Sequence, residues 1–399
     1  MRDFARELAA LDDAGLRRHR RVVTGALRPI LDVDGRRVVD FASNDYLGLA
    51  DHPRITAAAV AAARQHGVGA AASHLISGHH QEHAALETEL AAFVGLPRAL
   101  YFSSGYQANS GIVPALVGRG DAVFSDALNH ACLIDGARLS RADVHVFPHA
   151  DAAALASQLA RSTARHKLVL SDAVFSMDGD IAPVAALVEL CDRHDAMLLL
   201  DDAHGFGVLG RRGRGALEHF DIRSPRVLYL GTLGKAAGVS GAFVAGPADA
   251  IEWLVQRART YIFTTATPPM LAAAVREGLA VMRDEPWRLE RVRRHVRRLR
   301  DALRSTPWSM PPSDTAIQPL IVGGNGEALA LMQSLWERGL WVPAIRPPTV
   351  PAGTARLRIS LSAAHDDAHI DALTDALRQS ARTERAETSA RSPTLVVDA

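Results

Sequence analysis

Residues 197–207 read MLLLDDAHGFG, and this stretch decides the class of fold. Apolar residues in unbroken succession are typical of a strand that is buried on both faces of a sheet. Asp201, Asp202 and His204 follow at once, and taking such groups out of water is costly unless they find polar partners. The stretch therefore predicts an interior strand that ends in a polar site, although taken alone either aspartate could cap a helix and His204 could be a hydrogen-bonded core residue.

Six more apolar runs occur between about residues 55 and 245, separated by alanine-rich stretches of helical character. Strands that alternate with helices predict an α/β fold with a mostly parallel sheet covered by helices. Ligands of such sheets bind beyond the carboxyl ends of the strands, so the residues after each run are the candidates for chemistry. The seven runs are Leu100–Phe102, Ala122–Phe124, Val144–Phe147, Leu168–Leu170, Met197–Leu200, Val227–Leu230 and Ala242–Ala245.

Polar segments rich in small residues follow several of these runs. Gly231–Ala236 places Lys235 in a glycine-flanked loop, where a lysine can approach a ligand closely and can be tuned to a low pKa for Schiff-base chemistry. Ser103–Tyr106 is a small-residue turn that opens a helix, and free backbone N–H groups there bind anions. A third polar segment, Ser171–Asp180, follows the run at 168–170.

These groups are the parts that a pyridoxal phosphate (PLP) site needs: a lysine amine, a carboxylate for the pyridine nitrogen and a cradle for the phosphate. A lone lysine is usually a surface residue. The chain order favours the functional interpretation, since Asp-x-x-His at 201–204 is followed about 30 residues later by Thr-x-x-Lys at 232–235. PLP is therefore the predicted cofactor.

Three competing motifs are incomplete. GFGVLG at 205–210 has the glycine spacing of a dinucleotide fingerprint, but an acidic pair and a histidine precede it and a poor helix start follows. Lys235 is followed by alanine, so Gly234-Lys235 is not a phosphate-binding P-loop. His79 and His83 have helical i, i+4 spacing, with His80 beside them, but the glutamate of a zinc-protease motif is missing. We expect no metal site.

The composition argues against several classes of protein. The 45 basic and 44 acidic residues balance, so no surface for nucleic acid or for an anionic membrane is indicated. Two cysteines, far apart, do not make a disulfide scaffold and fit a reducing compartment. The N-terminus carries charge where an export signal is apolar, and no apolar run reaches the roughly 18 residues of a membrane span. We expect a cytoplasmic protein.

The pattern changes near residue 285. From there an arginine-rich helical stretch with a solvated face, followed by three strand-like runs, predicts a smaller α+β C-terminal domain. We expect an N-terminal segment over 1–54, a large domain over 55–284, the small domain over 285–380 and a disordered tail without periodicity over 381–399. The three runs are Ala316–Val322, Trp341–Ile345 and Arg356–Leu361.

The sequence resembles the α-oxoamine synthase family of fold-type I PLP enzymes over residues 16–378. These enzymes join an amino acid to an acyl thioester with loss of carbon dioxide. The resemblance implies a homodimeric acyltransferase with its active site at the subunit interface. The motifs that carry it are SNDYLGL (43–49), SSGYQAN (103–109), NHA (129–131), VFSMDGD (174–180), DDAHGFGVLG (201–210) and GTLGKAAGVSGAF (231–243).

The resemblance also implies roles for individual residues. Lys235 holds the cofactor and removes the Cα proton of the amino acid, and Asp201 pairs with the pyridine nitrogen. His204, helped by Ser176, hydrogen-bonds the phenolic oxygen of the cofactor. His130 stacks on the ring and polarises the thioester carbonyl.

Further residues are implied in binding the phosphate and the substrates. Arg358, assisted by Asn44, binds the carboxylate of the amino acid. Thr349 and Arg17, or Arg18 if the N-terminal register shifts by one, bind the acyl substrate. The phosphate contacts are Gly105, Tyr106 and Thr232, with Thr264 or Thr265 supplied by the partner subunit. Alanines at 70–72 replace residues that are often glycine or serine in the family, so no ligand contact is assigned to them.

Two C-terminal segments indicate which member of the family, and therefore which substrates, the sequence most resembles. TAIQPLIVG (315–323) and AIRPPTVPAGTARLRISL (344–361) most resemble the family member that condenses L-alanine with a pimeloyl thioester in biotin biosynthesis. The carrier of the acyl group, coenzyme A or acyl carrier protein, stays open. The alternatives are a glycine C-acetyltransferase or another α-oxoamine synthase, and, from a different class, a non-catalytic PLP-binding subunit.

Overall fold

A computed structural model describes residues 2–13 and 16–391, with side chains as far as residue 382. In these ranges no helix is long and apolar enough to cross a membrane. The α-helices are α1 (Phe4–Asp13), α2 (Pro53–His66), α3 (Gln81–Val94), α4 (Gly105–Leu116), α5 (Ala131–Ser140), α6 (Ala152–Arg161), α7 (Val184–Arg193), α8 (Ala216–His219), α9 (Ala248–Arg257), α10 (Arg259–Ile262), α11 (Pro269–Asp284), α12 (Trp287–Leu303), α13 (Asn325–Glu337) and α14 (Asp367–Arg391). The strands are β1 (Val23–Thr24), β2 (Ile30–Val33), β3 (Arg36–Asp40), β4 (Arg98–Phe102), β5 (Ala122–Asp126), β6 (Asp143–Phe147), β7 (Lys167–Asp172), β8 (Met197–Asp201), β9 (Val227–Thr232), β10 (Ala242–Gly246), β11 (Ile317–Gly323), β12 (Leu340–Trp341), β13 (Ala344–Ile345) and β14 (Ala355–Ser360).

A seven-stranded sheet in the order β4-β10-β9-β8-β7-β5-β6 forms the centre of the molecule. Strands β5 to β9 are parallel to one another. Only β10 runs the other way, antiparallel to both β9 and β4. Each of the seven predicted runs lies in one of these strands, so the prediction of an α/β fold with a mostly parallel sheet is confirmed.

Successive residues of the central strands pack on opposite faces of the sheet. Leu198 and Leu200 of β8 belong to one core cluster, together with Phe124. Leu199 belongs to the other cluster, together with Leu228. A strand buried on both faces needs an apolar residue at every position, which explains the continuous hydrophobic runs. Burial on both faces also fixes the strand register and, with it, the positions of the polar residues at the strand ends.

Two smaller sheets lie outside the central one. In the sheet β1-β2-β3-β12, β12 runs parallel to β3. The sheet β11-β14-β13 is antiparallel. The predicted strand 341–345 is thus two short strands in different sheets, and Pro343, which has no N–H to give to a ladder, lies between them. The pairing of β12 with β3 joins the N-terminal segment to the C-terminal part of the chain, while the domain boundaries at 54, 284 and 380 stay predictions.

The C-terminal helix differs from the prediction. α14 continues to Arg391, so residues 381–391 are helical where we expected a disordered tail to begin. Buried Leu373 and Leu377 hold the earlier turns of this helix against the core. Residues 381–391 therefore extend an existing helix, which does not require the unfavourable nucleation of a separate one. Alanine, arginine and glutamate recur over 381–391, and all three favour helix. Residues 392–399 of the predicted tail lie outside the described residues.

His149 links loops at the ends of neighbouring strands. Its Nδ1 lies 3.1 Å from Oδ1 of Asp126, and its Nε2 lies 2.8 Å from Oδ2 of Asp180. These two hydrogen bonds, to Asp126 and Asp180, raise the pKa of His149 to about 10 against the opposing effect of burial. The imidazole is therefore a cation in the folded protein at neutral pH, whereas an unfolded histidine titrates at about 6.5.

We expect the stability that His149 contributes to be lost at alkaline pH. Below about pH 6.5 both the folded and the unfolded chain hold the proton, and the contribution is complete. Between about pH 6.5 and 10 only the folded chain holds it, so rising pH favours unfolding. Urea denaturation should show the free energies of unfolding of wild type and His149→Gln converging as the pH approaches 10. The same comparison with His166→Gln, at an exposed histidine, should change little with pH. If the difference in free energy of unfolding between wild type and His149→Gln widened as the pH rises, His149 would not be the protonated group that stabilises the folded chain.

Candidate active site

The carboxyl ends of β7, β8 and β9 meet at one cavity of about 240 Å³. These strands end at Asp172, Asp201 and Thr232, and their parallel direction brings the three side chains to the same edge of the sheet. The eight residues predicted to bind the cofactor all line this cavity. Its lining is Gly105, Tyr106, His130, Cys132, Asp172, Ser176, Asp201, Ala203, His204, Thr232 and Lys235.

Lys235 lies in the loop that follows β9 and extends its amine into the cavity. The Nζ atom is 3.0 Å from Nε2 of His204. Burial lowers the pKa of Lys235, and the charge of Arg358 acts in the same direction, while the carboxylates of Asp201 and Asp172 oppose it. A lysine with a lowered pKa has a larger unprotonated fraction at neutral pH, which makes it a better nucleophile and base.

A chain of polar contacts connects Lys235 to Arg358. The Nδ1 atom of His204 lies 2.7 Å from the Tyr46 hydroxyl, and that hydroxyl lies 3.0 Å from Oδ1 of Asn44. The buried Arg358 guanidinium donates to the same Asn44 oxygen at 3.2 Å and lies 3.4 Å from the Tyr46 hydroxyl. Burial, reinforced by the positive charges of Lys235 and Arg358, lowers the pKa of His204 well below its usual range. His204 is therefore neutral and can link the Lys235 amine to Tyr46 and, through Tyr46, to Arg358.

The two adjacent aspartates point to different places. Asp201 faces the cavity, where its Oδ2 accepts a 2.6 Å hydrogen bond from Asn109 and its Oδ1 accepts one of 3.0 Å from the Ala203 N–H. Asp202 is fully buried behind the cavity, and its Oδ2 accepts from the Tyr229 hydroxyl at 2.8 Å and from the Ala216 N–H at 2.6 Å. Burial raises the pKa of Asp202 to about 7. Successive residues of a strand point to opposite sides, so only one aspartate of the pair can serve the cavity.

His130 stands at the mouth of the cavity with its ring exposed. Its backbone N–H donates a 2.9 Å hydrogen bond to Oδ2 of Asp172, and its Nδ1 lies 2.8 Å from Sγ of Cys132. Burial raises the pKa of Asp172 well above its usual range, and the nearby Asp201 carboxylate adds to this effect. Asp172 thus holds the His130 backbone in place while leaving the imidazole ring free to contact a ligand.

The N-terminus of α4 closes one end of the cavity. Ser104 caps this helix, since its hydroxyl accepts a 3.2 Å hydrogen bond from the Gln107 N–H. A Cβ atom added at Gly105 would lie 2.9 Å from the methyl group of Thr232, so only glycine lets the helix end approach β9 this closely. Free N–H groups and the helix dipole at such an end favour an anion.

These features fit PLP. The lining of the cavity includes an amine, a carboxylate and a helix N-terminus, and these are the groups that hold the aldehyde, the pyridine nitrogen and the phosphate of this cofactor. Because Gly105 has no side chain, the backbone N–H groups at this end of α4 stay open to a phosphate. The residues therefore suit a flat, anionic aldehyde.

Other predicted residues are not brought to the cavity. Arg17 and Arg18 are exposed, and Arg17 pairs with Asp12 at 2.6 Å. Thr349 is exposed in the loop before β14. Thr264 and Thr265 line a separate small pocket next to His74 and Tyr101.

Four residues near the cavity were missed by the sequence predictions: Asn109, Cys132, Asp172 and Tyr46. Asp172 carried a signal, because it lies two residues after an apolar run and Asp201 directly follows another. Tyr46 and Asn109 lie inside motifs that resemble the family, but their contacts with His204 and Asp201 join positions 158 and 92 residues apart. Such long-range contacts leave no pattern in a single sequence.

Known proteins resemble this chain over nearly its whole length. The sequence matches the family "Aminotransferase class I and II" over residues 36–377. The 8-amino-7-oxononanoate synthase 1 of Polaromonas sp. (strain JS666 / ATCC BAA-500) is 60% identical over 95% of this chain and 96% of its own length. A serine palmitoyltransferase variant from S. paucimobilis, solved with a bound PLP–myriocin aldimine, superimposes with a TM-score of 0.90 at 29% identity and covers 96% of this chain and 100% of its own. An 8-amino-7-oxononanoate synthase from Francisella tularensis has a TM-score of 0.76 at 29% identity, covering 88% and 99%.

Proposed function

We propose that this chain condenses L-alanine with a pimeloyl thioester, because it belongs to the aminotransferase class I and II family and, within it, to the 8-amino-7-oxononanoate synthases. The products are 8-amino-7-oxononanoate, carbon dioxide and the free thiol carrier. The chain is a PLP-dependent acyltransferase of fold-type I with a role in biotin biosynthesis. The identity of both substrates is the part that we propose.

One observation carries the proposal. A lysine amine projects into a cavity that suits PLP, and a short chain of hydrogen bonds connects this amine to a buried guanidinium, Arg358. An enzyme that removes a proton from an amino acid needs a base and a carboxylate-binding group at a fixed separation. The 60% identity to a curated 8-amino-7-oxononanoate synthase favours alanine and a pimeloyl thioester over the substrates of the serine palmitoyltransferase neighbour, which is 29% identical.

Several residues would hold the cofactor. Bound PLP supplies the electron sink that stabilises negative charge at the amino-acid Cα. Asp201 would pair with its pyridine nitrogen, and Lys235 would bind its aldehyde carbon. The remaining contacts would be made by His204 and Ser176 to the phenolic oxygen, by His130 to the ring face, and by Gly105, Tyr106 and Thr232 to the phosphate.

The amino acid binds between Arg358 and Lys235. A guanidinium binds a carboxylate through two parallel hydrogen bonds, and Asn44, which accepts from Arg358 at 3.2 Å, orients it. Lys235, once its amine is free, removes the Cα proton as general base. His204, 3.0 Å from that amine, positions it.

The acyl thioester enters from the exposed side. His130, whose ring stands at the cavity mouth, polarises the thioester carbonyl, and Arg17 and Thr349 bind the acyl substrate. In this proposal a homodimer completes the site, with Thr264 or Thr265 reaching the phosphate in the partner subunit. Ile76 and Phe263, which are 80% and 70% exposed, supply apolar area suited to such an interface. We expect the enzyme to act in the cytoplasm.

A side-by-side assay tests the substrate assignment. Purified protein loaded with PLP is given alanine plus pimeloyl-CoA or glycine plus acetyl-CoA, and the free thiol released is measured. We expect kcat/KM for the first pair to exceed that for the second by at least about 10²-fold, since a pocket shaped for one acyl chain gains about 1–3 kcal/mol per well-placed methylene. Equal turnover of the two pairs, or preference for glycine and acetyl-CoA, would identify a different α-oxoamine synthase. No turnover with any amino acid would indicate a non-catalytic subunit.

A further inference from the structure

Three histidines form a cluster away from the cofactor cavity. His74 begins a π-helical turn (His74–Gly78), His79 follows that turn, and His83 lies in the first turn of α3. His74 and His83 are buried and His79 is exposed. The proposed reaction uses none of the three. The sequence had drawn attention to the spacing of His79 and His83, with His80 beside them, whereas the fold adds His74.

The three imidazoles are arranged as ligands of one metal ion are. One nitrogen from each ring lies within 4.8 Å of the other two, and Nδ1 of His74 lies 3.0 Å from Nδ1 of His79. The ring centroids are 5.0, 5.2 and 5.7 Å apart. Three imidazoles bound at about 2.0–2.1 Å to a tetrahedral zinc ion would have centroids about 5.2 Å apart and nitrogens about 3.3 Å apart. The rings therefore already stand at ligand spacing, and their nitrogens need only a small rotation inward.

The surroundings of the cluster hold two of the rings in suitable orientations. His83 uses Nε2 to donate a 2.8 Å hydrogen bond to the Thr267 carbonyl, which leaves the Nδ1 lone pair for a ligand. Metal-binding histidines in proteins usually donate their second nitrogen to such an acceptor. That lone pair now accepts a 3.0 Å hydrogen bond from the His80 N–H, which a metal ion would replace. His74 stacks on Tyr261 with centroids 4.7 Å apart and planes 9° apart.

The burial of two rings favours the same interpretation. A metal binds histidine in its neutral form, and burial of His74 and His83 disfavours the charged imidazolium. His79 is the exposed member of the three in the single chain.

We propose that His74, His79 and His83 bind one Zn²⁺ ion, with water in the fourth position. Three neutral imidazoles without a thiolate suit zinc better than the hard cations Mg²⁺ or Ca²⁺, which prefer oxygen ligands. The ion connects the π-helical turn to the start of α3 and, through the bond from His83 to Thr267, to the segment before α11. Its role is to stabilise this junction. The proposal replaces the expectation of no metal site and does not depend on the proposed reaction.

Metal titration of the untagged holoenzyme tests the site. Protein freed of metal and of unbound PLP is titrated with zinc chloride, and bound zinc is measured by calorimetry and by elemental analysis after dialysis. We expect about one zinc per chain and a melting temperature that rises with zinc, because an ion that binds only the folded chain stabilises it. His79→Ala, at an exposed position that folding tolerates, should weaken zinc binding by more than about tenfold and abolish the rise in melting temperature.

Two further measurements separate this site from adventitious binding. His219→Ala removes an exposed histidine outside the cluster and should leave zinc stoichiometry and affinity unchanged. Cobalt added in place of zinc should give the visible absorption of a tetrahedral ion in wild type and lose it in His79→Ala. The proposal is overturned if wild type binds well below one zinc per chain, or if His79→Ala and wild type bind zinc equally.

Discussion

Lys235→Ala should lose essentially all turnover of alanine with pimeloyl-CoA, by at least about 10³-fold. General base catalysis alone contributes about 10²- to 10⁴-fold, and in the proposed reaction the same amine also holds the cofactor. The variant should also lose the visible colour of PLP bound to lysine. The amine is well placed for both roles, since it lies in the cavity 3.0 Å from His204 and burial lowers its pKa.

The chain offers a closely matched control, because its only other lysine is Lys167. Lys167 stands at the start of β7, at the opposite edge of the sheet, and donates a 2.9 Å hydrogen bond to the His194 carbonyl. Lys167→Ala should therefore keep both colour and turnover. Borohydride reduction, which makes the bond between lysine and cofactor permanent, should place the label on the peptide that contains Lys235. A label on Lys167, or multiple turnover by Lys235→Ala, would refute the assignment.

The strands of the central sheet were predictable because burial on both faces leaves a strong signal. A run such as Leu198–Leu200 can satisfy opposite core clusters only if every residue is apolar. In a parallel sheet the carboxyl ends of all strands lie at the same side, so Asp201 and the loop that holds Lys235 are expected to lie close together there. For this reason the eight predicted cofactor contacts were found together at one edge of the sheet.

The rest of the site depends on contacts between segments that are distant in sequence. Arg358 contacts Asn44 and Tyr46 because β14 packs beside the segment that holds them, 314 and 312 residues earlier in the chain. Thr349 lies in an exposed loop before β14, and the position of this loop depends on how β14 pairs in the sheet β11-β14-β13. Periodicity and motif spacing describe a segment and its near neighbours, so they do not reveal such pairings. Resemblance to the family suggested Arg358 and Asn44, whereas residue patterns alone did not.

Replacing Asp201 by asparagine tests which member of the Asp201–Asp202 pair serves the cofactor. A carboxylate beside a protonated ring nitrogen stabilises the negative charge that develops at the substrate, and losing one such electrostatic contact in a closed site typically costs about 10²- to 10³-fold in rate. We therefore expect Asp201→Asn to retain bound cofactor but to lose at least about 10²-fold in kcat. The KM for alanine should change much less, since in the proposed reaction Arg358, and not Asp201, binds the carboxylate of that substrate.

Asp202→Asn is the matched control, with the same change one residue along the chain. Asp202 faces away from the cavity, and its Oδ2 accepts hydrogen bonds from Tyr229 and from the Ala216 N–H, both of which an asparagine oxygen at the same position can accept. Burial already raises the pKa of Asp202 to about 7, so the loss of its charge costs little at neutral pH. We expect near-normal kcat and at most a lowered melting temperature, measured by steady-state kinetics and thermal unfolding of both variants. If Asp202→Asn were the inactive variant and Asp201→Asn were near normal, the carboxylate that pairs with the pyridine nitrogen would have to be Asp202.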